Sequence, residues 1–257
     1  MNELSNPFSL ENKRIVITGA SSGIGRHCSI VCSRMGARLI LFGRDQARLS
    51  ETLQGMVNPE NHVVNAIDLL AYTDITNKVN EIVHNIGRID GLVNCAGIST
   101  TLPVNAVSPE KMIFFFQTNV IGPINLTRQI VRSANFSEKG GSVIFISSIM
   151  SVAGESGKTL YSMTKGALVS AAKSMAIELS KRKIRVNCIS PGVVVTPMSQ
   201  NAVYSKDVES LNRIKDLHPL GLGKPEDVAN ACVFLLSDAS GWITGTNLIV
   251  DGGYFAR

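Results

Sequence analysis

Ile15-Val16-Ile17-Thr18-Gly19-Ala20-Ser21-Ser22-Gly23-Ile24-Gly25 sets a short β-branched run directly against a glycine-rich turn, and a helical pattern follows through Met35. Glycines let a backbone turn sharply and come close to a pyrophosphate, whose charge the N-terminus of the following helix stabilises. The spacing is G-x-x-x-G-x-G, so the usual dinucleotide fingerprint is met in mechanism but not in letter. Outward from this stretch, further strand-like runs occur at Leu39 to Phe42, Val63 to Ile67, Gly91 to Asn94, Val143 to Ser147, Arg185 to Ile189 and Leu248 to Val250, with helical patterns between them. That alternation of near-continuous apolar runs with helices predicts an α/β protein whose parallel sheet is covered on both faces. In such a sheet ligand-binding residues gather at the carboxyl ends of strands, where Gly19, Gly43, Asp68, Asn94, Ser148 and Pro191 fall.

With 257 residues the chain has the size of one α/β domain, which buries roughly three quarters of its unfolded surface. A single domain over residues 1–257 is the expectation, without repeats or a low-complexity linker. The apolar residues are dispersed in short runs, and Met1 to Lys13 lacks the hydrophobic stretch of a signal peptide, so no membrane span and a cytoplasmic location are expected. Five cysteines stand without a C-x-x-C pair or a histidine at ligand spacing, which predicts reduced, mostly buried thiols and no metal site. A net charge of +5 with no basic block interleaved with aromatics argues against nucleic acid and for an anionic ligand. The densest basic cluster, Lys181, Arg182, Lys183 and Arg185, falls where a helix should end, a position that complements the helix dipole.

Choice between the two nicotinamide dinucleotides should lie after the second strand, where an acid would bind ribose hydroxyls and repel a phosphate. Gly43 stands there, followed by Arg44, a guanidinium suited to gripping phosphate, so NADP(H) is favoured over NAD(H). Asp45 reads instead as the cap of a helix starting at Gln46. Asp68 and Leu69 at the third strand should meet the adenine, and Asn94 to Gly97, including Ala96, should pass beneath the nucleotide. A second loop, Gly154-Glu155-Ser156-Gly157-Lys158-Thr159, ends like a nucleoside-triphosphate loop, but Val152 occupies the place of its first glycine and no strand leads into it.

Tyr161 and Lys165 are four residues apart in an alanine-rich stretch, a step that stacks them on one helix face. An ammonium beside a phenol favours the phenolate and brings a group with a pKa near ~10 towards the working range of an acid–base catalyst. Ser148, thirteen residues before the tyrosine, can hold a substrate oxygen at the same place. Asn119 lies in a helical stretch from about Pro109 to Ser133 that contains Pro123; the missing proline N–H frees the Asn119 carbonyl, and a water held there can relay protons past Lys165.

Together these segments resemble the short-chain dehydrogenase/reductase family over nearly the whole chain, from Lys13 to Gly253. The loop matches the family's T-G-x-x-x-G-x-G, and Asn94-Cys95-Ala96-Gly97 its N-N-A-G with cysteine for the second asparagine. The resemblance implies a single-domain Rossmann-type three-layer α/β/α sandwich on a seven-stranded parallel sheet. It implies Asn119, Ser148, Tyr161 and Lys165 as catalytic residues, and Thr18, Gly19, Ser21, Ser22, Gly23, Ile24 and Gly25 around the cofactor phosphates. Pro191, Gly192, Val194 and Thr196 would hold the nicotinamide carboxamide, while Lys165 binds the ribose. The implied reaction is hydride transfer between nicotinamide and a carbonyl or secondary alcohol.

Pro219-Leu220-Gly221, Pro225-Glu226-Asp227 and Asp251-Gly252-Gly253 bring the pattern nearest to 3-oxoacyl-(acyl-carrier-protein) reductases, with sugar-alcohol, hydroxysteroid and other ketone reductases on the same scaffold. An acyl-thioester substrate on an acidic carrier protein suits a basic chain with Arg182 expected near the site rim. Residues 196–220 are expected to form a substrate lid. The resemblance also implies a homotetramer, through the helices around Pro109 to Ser133 and Leu160 to Lys181. A non-catalytic NADP(H)-binding sensor is the rival of a different class, against which the intact Ser148, Tyr161 and Lys165 stand.

Overall fold

The computed structural model describes residues 6–202 and 207–256. Seven strands form one sheet: β1 (Arg14–Thr18), β2 (Arg38–Gly43), β3 (Val63–Ala66), β4 (Gly91–Asn94), β5 (Gly141–Ile146), β6 (Ile184–Pro191) and β7 (Asn247–Val250). Their order is β3-β2-β1-β4-β5-β6-β7, and every neighbouring pair is parallel. The order reverses between β1 and β4, which opens a crevice at their carboxyl ends.

Alternate residues of the central strands serve opposite faces, as a two-residue period requires. Ile15, Ile17, Leu39, Leu41 and Ile144 pack towards α1 (Gly23–Arg34) and a late helix, Pro225–Leu236. Val16, Ile40, Phe42, Val143 and Phe145 pack towards the opposite face. That face is covered by α3 (Tyr72–Ile86), by the segment Pro109–Ile130 and by the long helix Thr159–Leu179; α2 (Gln46–Gln54) flanks β2 and β3. The three-layer α/β/α arrangement with a seven-stranded parallel sheet is therefore present as expected.

Two boundaries differ from the sequence expectation in a way that matters. The stretch expected to run as one helix to Ser133 is α4 (Pro109–Phe116), a wide π turn (Gln117–Ile121) and α5 (Gly122–Ile130). The Gly122 N–H reaches back five residues to the Gln117 carbonyl, one residue before the proline that cannot donate. Strand β6 runs on to Pro191, carrying the following loop to the crevice.

The remaining helices are α6 (Thr159–Leu179), α7 (Pro197–Gln200), α8 (Val208–Asp216) and α9 (Pro225–Leu236). Of the expected lid over 196–220, α7 and α8 are described, whereas Val203, Tyr204, Ser205 and Lys206 lie outside the described residues. Among the described residues no helix is long and apolar enough to cross a membrane.

Candidate active site

A cleft of about 470 Å³ opens at the carboxyl ends of β1, β2, β4, β5 and β6. Its floor begins at the glycine turn. Gly19 and Gly23 adopt left-handed backbone (φ +65° and +51°), and a Cβ on Gly25 would sit 2.3 Å from the Gly19 carbonyl oxygen, so this turn admits no side chain there. Thr18 is fully buried beneath it; its Oγ1 accepts from the Cys95 and Ala96 N–H groups, each at 3.0 Å, and ties the β1 turn to the β4 turn. The first turn of α1 carries no acidic residue, and its Ser22 N-cap makes no side-chain cap bond. Open N–H donors at the end of a 12-residue helix, set over a close-approach glycine turn, fit an anionic pyrophosphate.

At the far end of β2, Arg44 is exposed on the cleft rim and forms no ion pair among the described residues. Asp45 is turned away, accepting from the Arg48 N–H at 3.1 Å as the cap of α2. Asp68 accepts from the Leu70 N–H at 2.9 Å, which shapes the rim beside Leu69.

The other half of the cleft is built by β5, β6 and α6. Ser148 follows β5, and its Oγ accepts from the Met150 N–H at 3.2 Å. Tyr161 and Lys165 project from the first two turns of α6 into the same cleft. The Lys165 ammonium lies 5.6 Å from the Tyr161 ring centroid, and its Nζ donates to the Ile146 carbonyl at 2.9 Å. Burial, at 5% exposure, lowers the Lys165 pKa to about 8. A neighbouring bond steadies the helix: Ser147 Oγ donates to the Lys165 carbonyl at 3.0 Å.

Asn119, in the π turn, clamps the Ile98 peptide from both sides. Its Oδ1 accepts from the Ile98 N–H at 2.8 Å, and its Nδ2 donates to the Ile98 carbonyl at 2.9 Å and to Thr164 Oγ1 at 3.1 Å. A Cβ on Gly97 would lie 3.2 Å from Asn119 Oδ1 and 3.4 Å from Lys165 Nζ, so glycine here lets the β4 loop pass between the two. Pro191, Gly192, Val194 and Thr196 line the wall after β6, where His218 Nε2 accepts from the Val193 N–H at 3.0 Å.

Of the sequence-predicted site residues, all line the cleft except two. Asn119 sits behind the wall and acts on it through Ile98 and Thr164. Asn94 turns inward, its Nδ2 donating to Thr127 Oγ1 at 3.0 Å, so it braces α5 and does not reach the nucleotide crevice. Arg182 is also not at the rim. It lies past the far end of α6, roughly 25 Å of helix from Lys165 at 1.5 Å per residue, where its Nη1 donates to the Val131 carbonyl at the end of α5. Met198, within the stretch expected as a lid, lines the cleft, whereas sequence reasoning missed Ile98, Phe114, Met150 and Lys158 as cleft residues. Of these, only Lys158 carried a signal, standing three residues before Tyr161 at the head of the same helix.

Residues 19–255 match the family model described as enoyl-(acyl carrier protein) reductase. The chain is 35% identical over 251 residues to the 3-oxoacyl-(acyl-carrier-protein) reductase FabG of Thermotoga maritima, covering 95% of this chain and 98% of the relative. It is 34% identical over 248 residues to the L-xylulose reductase of Bos taurus, covering 96% and 98%. The crystal structure of a gluconate 5-dehydrogenase from Burkholderia cenocepacia J2315 in complex with NADP and tartrate superimposes with a TM-score of 0.89, covering 98% of each chain at 25% identity.

Proposed function

This chain belongs to the short-chain dehydrogenase/reductase family, an oxidoreductase acting on alcohol or ketone groups with NAD(P), and from that premise we propose that it reduces a carbonyl with NADPH through Ser148, Tyr161 and Lys165. The observation that carries the reading is the convergence of these three side chains in one cleft with the glycine turn.

When bound, the dinucleotide supplies a hydride to the substrate carbon. The N–H groups opening α1 hold its pyrophosphate, Arg44 its adenosine phosphate, and Lys165 its ribose. Tyr161 gives its phenolic proton to the carbonyl oxygen as negative charge develops there, and Ser148 donates a hydrogen bond to the same oxygen. The Lys165 ammonium beside the ring stabilises the phenolate left behind; the Ile146 carbonyl keeps it there. Asn119 positions the Ile98 wall, and a water at its opened turn returns the proton from solvent.

Two substrate readings follow. A 3-oxoacyl thioester on an acidic carrier protein is supported by the relative at 35% identity. A sugar is supported by the xylulose-reductase relative, and a sugar acid by the buried Lys158 in the cleft wall. The proposed setting is the cytoplasm, in keeping with free thiols at all five cysteines. The proposed assembly is a homotetramer, in keeping with Ile113, Ile121, Met163 and Ile177 left exposed on α4 to α6. Light scattering tests the assembly, and a monomer would refute it.

The function is tested by following NADPH absorbance with an acetoacetyl thioester and a panel of ketones, ketoses and keto acids. Oxidation with at least one is expected, and the ranking names the class. Tight NADPH binding with no turnover of any carbonyl would favour the sensor instead.

A further inference from the structure

Lys158 is left without a role by the mechanism above. It is 8% exposed, lines the cleft and stands immediately before α6, three residues before Tyr161. At that spacing on a helix two Cβ atoms lie about 5–6 Å apart. Its Nζ donates to Thr101 Oγ1 at 2.8 Å and to the Thr100 carbonyl at 3.4 Å, both uncharged oxygens. An ammonium has three donors, and among the described residues no carboxylate forms an ion pair with this one. Glu155, exposed on the same cleft, favours the charged form without forming an ion pair with it, while burial, the larger effect, lowers the lysine's pKa. Buried charges are ordinarily paired. A buried cation in the wall of the cleft, with no ion pair among the described residues, is placed to meet an anionic group of a bound ligand.

We infer that Lys158 selects substrates carrying a carboxylate within a few bonds of the reacting carbon, of the 3-oxo acid or polyhydroxy acid kind. The inference rests on the reading of the cleft as a carbonyl-reductase site and orders its two substrate readings, because a thioester is neutral where an acid is charged. A carboxylate takes the remaining Lys158 N–H and lies at the positive end of the 21-residue helix α6. The competing explanation is mechanical. The Leu102 N–H donates to the Gly157 carbonyl at 2.8 Å, so Lys158 and Thr101 add a second latch between the same two loops.

The test uses matched acid and neutral substrates: acetoacetate against methyl acetoacetate with NADPH, and D-gluconate against D-glucitol with NADP. The wild type is expected to favour the acid in at least one pair by about tenfold or more in kcat/KM. Lys158→Met should lower that acid-to-neutral ratio by about 30-fold, the range of a charged hydrogen bond, and Lys158→Arg should keep most of it. Thr101→Val removes the latch bond but keeps the cation, and should leave the ratio as it is. No acid preference in the wild type, or equal losses on acid and neutral substrates in Lys158→Met, would overturn the inference in favour of the latch. Calorimetric titration of acetoacetate into the NADP-loaded protein and of gluconate into the NADPH-loaded protein, both unreactive pairings, decides the point without turnover: acid binding that Lys158→Met abolishes supports it, and no acid binding by the wild type refutes it. A protein that binds acid through Lys158 yet reduces no carbonyl would refute the reductase reading and leave the acid site standing.

Discussion

Replacing Lys165 with methionine should make the protein more stable at neutral pH while destroying its activity. Burial lowers the Lys165 pKa from its ordinary 10.5 to about 8. At 1.36 kcal/mol per unit, holding the ammonium in the folded state at pH 7 costs about 3 kcal/mol. The hydrogen bond to the Ile146 carbonyl, which the variant loses, offsets about 1 kcal/mol. Methionine fills similar space without a charge, so Lys165→Met should gain about 2 kcal/mol in urea unfolding at pH 7. The sign has a pH signature. Between about 8 and 10.5 the unfolded lysine holds a proton that the folded one has released, so wild-type stability rises with pH through that window relative to the variant. The advantage of Lys165→Met should therefore fade by pH 10. A variant less stable than wild type at pH 7, or an advantage independent of pH, would show that burial of the Lys165 charge costs the fold nothing.

Two further outcomes follow from the same geometry. Arg44→Ala should reduce the preference for NADPH over NADH by about tenfold, with the wild-type preference weakening as salt is raised, measured as the ratio of kcat/KM for the two cofactors; an unchanged ratio would remove Arg44 from selection. Asn119→Leu deletes the clamp on Ile98 and Thr164 and leaves buried partners unsatisfied, so it should lose about 2–4 kcal/mol and roughly 5–10 °C in Tm, read by a thermal melt; an unchanged Tm would remove the clamp from the stability of the wall.

What the sequence made legible was local. The glycine turn, the four-residue Tyr161–Lys165 step and the apolar runs each express a backbone or helix period within a few residues, and each stands where it was expected. Asp45 could be read as a cap because capping chemistry spans only three residues. Side-chain direction set by a distant partner was not legible. Asn94 turns inward because Thr127, 33 residues on, offers it an acceptor. Pro123 marked a missing N–H in its helix, but the wide turn that ends at Gly122 was not legible; there a Cβ on Gly122 would lie 3.1 Å from the Leu69 Cβ. Arg182 stands seventeen residues after Lys165, and the length of α6 alone carries it to the far end of the sheet. The burial of Lys158 is not legible in its own loop, because it comes from Thr100 and Thr101, which approach from another part of the chain.

In the proposed reaction the Tyr161 phenol supplies the proton that completes carbonyl reduction. Tyr161→Phe removes one hydroxyl and leaves the ring beside Lys165 in place. Single-turnover NADPH oxidation with the best substrate of the panel, alongside NADPH binding by fluorescence, measures that role directly. Turnover should fall by at least about a hundredfold with NADPH affinity nearly unchanged, and a variant that keeps a tenth or more of the activity would contradict it.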